Sequence, residues 1–283
     1  MTVVLCGVAG DSTNVDPVPA VDDAGRFEYV PIPEKCETSE TATYGSIPRR
    51  YGAGVLADAI DRIYARDGGW TDDPAAIRAH PVHHDPNFER LTYGEHRPGY
   101  VNRLRELGPG DAVAFYAGLR HPDEDYLHRY LLGWFAVESV DVIDPTADAD
   151  AVRAVVDGHP HNAHAKRYRA RGRLHYDEKP VAFVRGRAPG GLLDRAIRLA
   201  EWRDGWFYCT PSVREALFPD ADEPVGLGSR KPARSSPLDV DAFAAFVEDR
   251  LGSRDGDGGG DDRVGDGGGG DRTGDDDRDS DRG

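Results

Sequence analysis

The chain has 283 residues, 30% of them charged, and a formal net charge of −16; it is long enough to bury a substantial core and has no basic excess to draw it onto nucleic acid. Of the 51 acidic residues 37 are Asp, and of the 35 basic residues only 4 are Lys, a composition that resembles proteins of a salt-loaded cytoplasm. In molar salt the Debye length falls to about 3 Å, so local contacts decide binding and an acidic total leaves a nucleotide or nucleic-acid partner open.

Thr2 to Cys6 is a compact apolar run that meets Gly7, Gly10 and Asp11, the pattern of a buried strand entering a loop. Neither a GK[ST] ending nor a GxGxxG follows, so the loop reads as a turn before it reads as a phosphate pocket. The N-terminus has no basic region and no apolar run long enough for a signal peptide or a membrane span. Cys6, Cys36 and Cys209 have no CxxC spacing, which argues against a disulfide framework or a zinc knuckle. A cytoplasmic protein with no membrane partner is expected. Residues 11–49, rich in Pro, Asp, Ser and Thr, predict an irregular excursion with Phe27 to Ile32 as a short strand. Val55, Leu56, Ala59, Ile60, Ile63 and Tyr64 recur at helical spacing, which predicts a helix stopped by Gly68 and Gly69. The polar, His-rich and proline-punctuated segment 79–100 predicts a loop, and Pro98 opens a short helix running to Leu107.

Residues 107–140 carry the densest order-forming signal. Gly108, Pro109 and Gly110 suit a tight turn in which Asp111 bonds the nearby backbone. Ala112 to Ala117 and Tyr130 to Val140 predict two strands bracketing a polar loop from Arg120 to Arg129, with Gly133 as a bulge or close-approach point. Further on, the pattern predicts a helix over Ala149 to Val156 and a strand over Val181 to Val184. A helix over Gly190 to Trp202, a strand over Trp206 to Cys209 and a last helix over Leu238 to Leu251 complete it. From Gly252 onward the chain is Gly, Asp and Arg with Val264 as its only large apolar residue, which predicts a disordered tail over 252–283. That tail carries a net −6 and leaves −10 on residues 1–251, read as a single domain. Strands and helices mix without regular βαβ alternation, so the expected class is α+β, with a small, partly closed mixed sheet and helices packed outside.

Seven of the ten histidines fall in two groups, His80, His83 and His84 beside Asp85, and His159, His161, His164 and His175. Imidazoles with a carboxylate could hold a transition metal, and His161 and His164 share a face if their segment is helical. No HExxH or HxH-plus-carboxylate set is complete, however, so ordinary polar loop histidines are the preferred reading and no metal or cofactor is assigned. The stretch KRYRARGR, residues 166–173, places five basic residues around Tyr168 in an otherwise acidic chain. Lys166, Arg167 and Arg169 could hold phosphate while Tyr168 stacks on a base, or all could form a solvated face pairing with Asp. Cys36 has only Lys35 to activate it, and Asp111 has a sufficient role in its turn.

Several ordered segments together resemble the third type of nucleotide modification associated domain, a family of prokaryotes and their viruses. They are the first strand running into Gly10-Asp11, the PIPE segment Pro31 to Glu34, Tyr44-Gly45-Ser46-Ile47, and His83-His84-Asp85-Pro86 with Tyr93-Gly94. LGPGDAVAFYAGLR, YLLGWFAVESV and the HPHNAH run from His159 to His164 follow in the same order, over roughly residues 1–210. The first loop, CGVAGDS, is less basic than the family pattern, and the Asp-rich tail has no counterpart in it. The resemblance implies a role in making, altering or recognising modified nucleotides, and carries over Asp11, His83, Asp85, Asp111, His161 and His164 as candidates. The central hairpin is also similar to the PUA-like barrels that read modified bases.

The expected function is an enzyme acting on a nucleotide or base by acid–base chemistry, with Asp11, His83, Asp85, His161 and His164 as catalytic candidates. Tyr116, Lys166, Arg167, Tyr168 and Arg169 are the nucleotide-binding candidates, and other base-modification proteins are possible partners. The alternative is a non-catalytic PUA-like reader that stacks a base on Phe115, Tyr116 or Trp134.

Overall fold

The computed structural model describes residues 1–65, 69–174, 178–228 and 233–252. His175, Gly68 and the expected tail from residue 253 onward lie outside the described residues. In chain order the strands and helices begin with β1 (Val3–Gly7), β2 (Val15–Asp16), β3 (Ile32–Pro33), β4 (Arg62–Tyr64), β5 (Trp70–Thr71), α1 (Pro74–Ala79), β6 (Val82–His83), β7 (Thr92–Glu95) and α2 (Pro98–Leu104). They continue with β8 (Ala112–Arg120), β9 (Leu127–Ile143), α3 (Ala149–Gly158), α4 (Ala163–Arg171), β10 (Val181–Arg203), β11 (Trp206–Cys209), α5 (Pro211–Leu217), β12 (Arg234–Ser236) and α6 (Val240–Gly252).

The expected hairpin is the centre of the molecule. β8 and β9 pair antiparallel, β1 joins β8 in parallel, and the main sheet runs β11-β10-β9-β8-β1-β12 with β7 on the first part of β10. Both faces of β8 are buried, Val113, Phe115 and Ala117 in one cluster and Ala112, Ala114 and Tyr116 in the other, which is why it reads as a continuous apolar run. Tyr100, Val101 and Leu104 of α2 fill the first cluster; Val213 and Leu217 of α5 and Phe243 and Phe246 of α6 fill the second. The result is α+β, with the sheet curled into a half-barrel.

The curl has a local cause. The ladder between β9 and β10 shifts register at Arg185/Gly186, Arg187/Gly190, Leu192/Ile197 and Arg198/Ala200, and each bulge bends the strand that carries it and adds twist. The same irregularity explains one wrong expectation: Gly190 to Trp202 is not a helix but the second part of β10. Leu192, Leu193, Ala196, Ile197 and Leu199 show helical spacing because bulges break the alternation, while β9 and β11 take up the backbone on either side. The helix expected over Val55 to Tyr64 also gives way, to one 3-10 turn at Leu56–Ala59 followed by β4 against β2. Leu56, Ile60 and Ile63 still bury together in a cluster with Tyr44, Ile77 and Val82. The strand expected from Phe27 reduces to β3, with Phe27 in a lone bridge to Val21. Gly133 is the close-approach point expected: a Cβ there would strike Phe88 and lie 2.6 Å from the Gly191 carbonyl, beside the register shift at Phe115/Tyr116. Among the described residues no helix is long and apolar enough to cross a membrane.

Candidate functional site

A cleft of about 500 Å³ opens where β1 ends and the loop through Asp11 begins. Its walls come from that loop, from β7 and the residues after it, from Tyr116 to Gly118 of β8, and from Arg129 and Phe207. His83, Asp85 and His164 also line it.

Each of these three is placed by a short-range device. β6 pairs with β3 so that Ile32 faces His83, and Glu34, the residue just after β3, accepts a hydrogen bond from His83 Nδ1 over 3.0 Å. Arg167 Nε donates to both Glu34 oxygens, at 2.9 and 3.0 Å, and the Cys36 amide donates to Oε1. Burial raises the Glu34 carboxyl, but His83 and Arg167 outweigh it and hold it at about 2. Glu34 is therefore an ionised acceptor, so the His83 proton sits on Nδ1 and Nε2 offers a lone pair to the cleft. Asp85 Oδ1 accepts the Gly94 amide at 2.7 Å. Its Oδ2 lies 3.7 Å from His83 Nε2 and 3.5 Å from His164 Nε2. His164 stands in the first turn of α4, whose N-cap Asn162 accepts the His164 amide at 2.9 Å and donates to Thr92 Oγ1. Gly94 permits this packing, because a Cβ there would strike His164 and lie 2.9 Å from Asn162 Oδ1 and 3.0 Å from Asp85 Oδ2.

Charge is distributed unevenly. Burial pushes the Asp85 carboxyl well above its ordinary range, with Glu95 adding to the effect and the Gly94 amide opposing it. Burial also lowers His83, aided by Arg167, and pushes His96 down to about 4. Glu95 is held by Arg97, whose guanidinium donates to it at 2.6 and 2.9 Å and lies over the Tyr100 ring. Arg129 differs. It is 9% exposed, its guanidinium carbon lies 3.9 Å from the Phe207 ring centroid, and among the described residues no carboxylate forms an ion pair with it. Burial lowers its pKa, opposed by Tyr116 and Asp11.

Of the residues singled out in the sequence, His83, Asp85 and His164 come together, and Asp11 and Tyr116 line the same cleft. Asp11 caps its own loop by accepting from Thr13 and Asn14. His161 is exposed and outside the cleft lining. Within the basic island Lys166 pairs with Glu40, Arg167 pairs with Glu34, Arg169 donates to the Pro160 and Val156 carbonyls, and Tyr168 packs against the cluster that contains Val156 and Phe183. Asp111 holds its turn by accepting the Thr2 and Gly108 amides. Sequence reasoning passed over Glu34, Gly94 and Arg129. The first two lie inside the PIPE and Tyr93-Gly94 motifs; Arg129 sits in a run read as loop and gives no local signal.

Two groups among the described residues could hold a metal ion, His83–Asp85–His164 and the exposed Asp23–His121–Asp123. Residues 2–207 match the model of a family described as nucleotide modification associated domain 3. No curated protein and no solved structure shows significant similarity to the chain.

Proposed function

We propose that this chain, which belongs to the nucleotide modification associated domain 3 family, is an enzyme that takes a nucleotide or nucleic-acid base into the cleft and alters it at the His83–Asp85–His164 cluster. One observation carries this: two imidazole nitrogens converge on a single buried carboxylate oxygen at a cleft wall. Imidazole and carboxyl in mutual reach are the groups that general acid–base chemistry uses. Glu34 positions His83, and Arg129 takes the anionic part of the substrate, since a buried guanidinium with no carboxylate ion pair among the described residues suits phosphate. A non-catalytic reader is the less favoured reading, because Phe115 and Trp134 are core residues and only Tyr116 reaches the cleft.

The test is mass spectrometry of host nucleosides and nucleotides with the gene deleted and then restored. His83→Ala or Asp85→Asn, folded by circular dichroism, should fail to restore the wild-type profile. Full restoration by both variants would sink the assignment. Stoichiometric binding of a modified oligonucleotide with no mass change would instead favour the reader.

A further inference from the structure

We propose that His83, Asp85 and His164 are the protein ligands of a divalent transition-metal ion bound in the cleft. The proposal rests on the reading above that this cluster is the reactive site, and replaces the direct acid–base role of its side chains with that of ligands to an ion that would activate water or a substrate oxygen; its binding test does not depend on a nucleotide.

The donor atoms are already gathered. One ligand atom from each of His83, Asp85 and His164 lies within 4.8 Å of the other two, and Asp85 Oδ2 is 3.7 Å from His83 Nε2 and 3.5 Å from His164 Nε2. Metal bonds of about 2.0–2.2 Å separate neighbouring donors by roughly 3.0–3.4 Å, so the two carboxylate–imidazole separations lie within a few tenths of an ångström of metal-bound spacing, and the two imidazoles, within 4.8 Å of each other, close onto the ion as it binds. The Glu34 hydrogen bond to His83 Nδ1 keeps the Nε2 lone pair turned to the cleft, the carboxylate–histidine arrangement that orients metal-bound imidazoles. Arg167 in turn immobilises Glu34.

Charge points the same way. Glu34 has Arg167 and Glu95 has Arg97, whereas Asp85 forms ion pairs only with imidazoles among the described residues. A buried carboxyl stays ionised only beside a compensating cation, and an ion between Asp85 and the two histidines would supply it. Gly94 matters here too, because any Cβ would drive His164 away from Asp85. Two imidazoles and one carboxylate suit Fe²⁺, Co²⁺, Ni²⁺ or Zn²⁺ better than the all-oxygen ions Ca²⁺ and Mg²⁺. With only three protein ligands, the remaining positions face the cleft and are open to water or a substrate oxygen.

Full-length protein purified without a His tag and stripped by chelator is titrated with Co²⁺ alone and followed by visible absorption and metal analysis. Wild type should bind about one ion per chain, with visible ligand-field bands. Asp85→Asn and His164→Ala should lose the bands and at least about tenfold in affinity, whereas a D23N/D123N double variant at the exposed group should keep both. Asp85→Asn preserves shape and the acceptor for the Gly94 amide; should it fail to fold, the same loss is read in His83→Gln. No binding by wild type, unchanged binding in the cluster variants, or loss in the D23N/D123N protein would each overturn the proposal. A failed titration leaves the nucleotide reading standing. Tight Co²⁺ binding with an unaltered nucleoside profile would instead remove that reading alone.

Discussion

Asp85 and Arg129 are two buried ionisable groups lining one cleft, and no ion pair joins them. Each is buried at 9% exposure, and each is costly to keep charged without a partner. Arg129 is the clearer case, since the Phe207 ring is its nearest compensation and Gly118 leaves room for its Nη1. Such a cost is consistent with the proposed role of Arg129 in holding an anionic substrate group. Replacing Arg129 with Met should therefore stabilise the unliganded protein, by about 1–4 kcal/mol if the site follows other buried charges exchanged for apolar groups. The same change should weaken binding of a nucleoside monophosphate roughly 10- to 100-fold while leaving the nucleoside nearly unaffected. Urea denaturation and calorimetric titration read the two effects; a destabilised variant that still bound the monophosphate normally would contradict both.

At the scale of elements, the site depends on how β9 and β10 bend. Their register shifts curl the sheet, and the first part of β10 then carries β7 along its other edge, which brings Gly94 and Glu95 to the cleft. Glycines mark the closest approaches. Gly133 packs against Phe88 and the Gly191 carbonyl, whereas Gly108, in the turn before β8, has open space where a Cβ would go. Gly133→Ala should cost about 1–3 kcal/mol through overpacking, and Gly108→Ala about 0.5 kcal/mol or less. Equal midpoints for the two variants in urea would show that the contact at Gly133 does not constrain the sheet.

Over the whole molecule, acid sensitivity follows from how its titratable groups are buried. His80, His128 and His159 are all held below the usual 6.5, chiefly by burial. As pH falls through 6.5 the unfolded chain binds protons that the folded chain does not, so stability declines in that window. Asp22, Glu40 and Glu124 behave in the complementary sense: burial raises them, but hydrogen bonds from Arg26, Lys166 and Arg198 hold them below the usual 3.8 to 4.5. Their contribution is present above that range and is lost as pH drops through it. Thermal unfolding at constant high salt should show a first decline between pH 7 and 5 and a second below about 4.5. A flat profile from pH 7.5 to 5 would contradict the first.

What could be read from the sequence was what neighbouring residues decide among themselves. The strands β1, β8 and β9, the helices α2, α3 and α6, and the turn at Asp111 follow from apolar runs, helical spacing and turn chemistry that need no distant partner. His83 and Asp85 stood out because they are two residues apart in a polar, His-rich segment. The second part of β10 and the 55–64 segment misled for the opposite reason: their apolar spacing is helical, but their backbone is taken up by strands from elsewhere in the chain. Only the tertiary structure could bring His164 to Asp85 across Gly94, tie Lys166, Arg167 and Arg169 to Glu40, Glu34 and the Val156 and Pro160 carbonyls, and leave Arg129 with no carboxylate ion pair among the described residues. Each of these is a relation between residues far apart in the chain, and burial, which sets the energy of such a relation, is a property of the fold and not of any stretch of sequence.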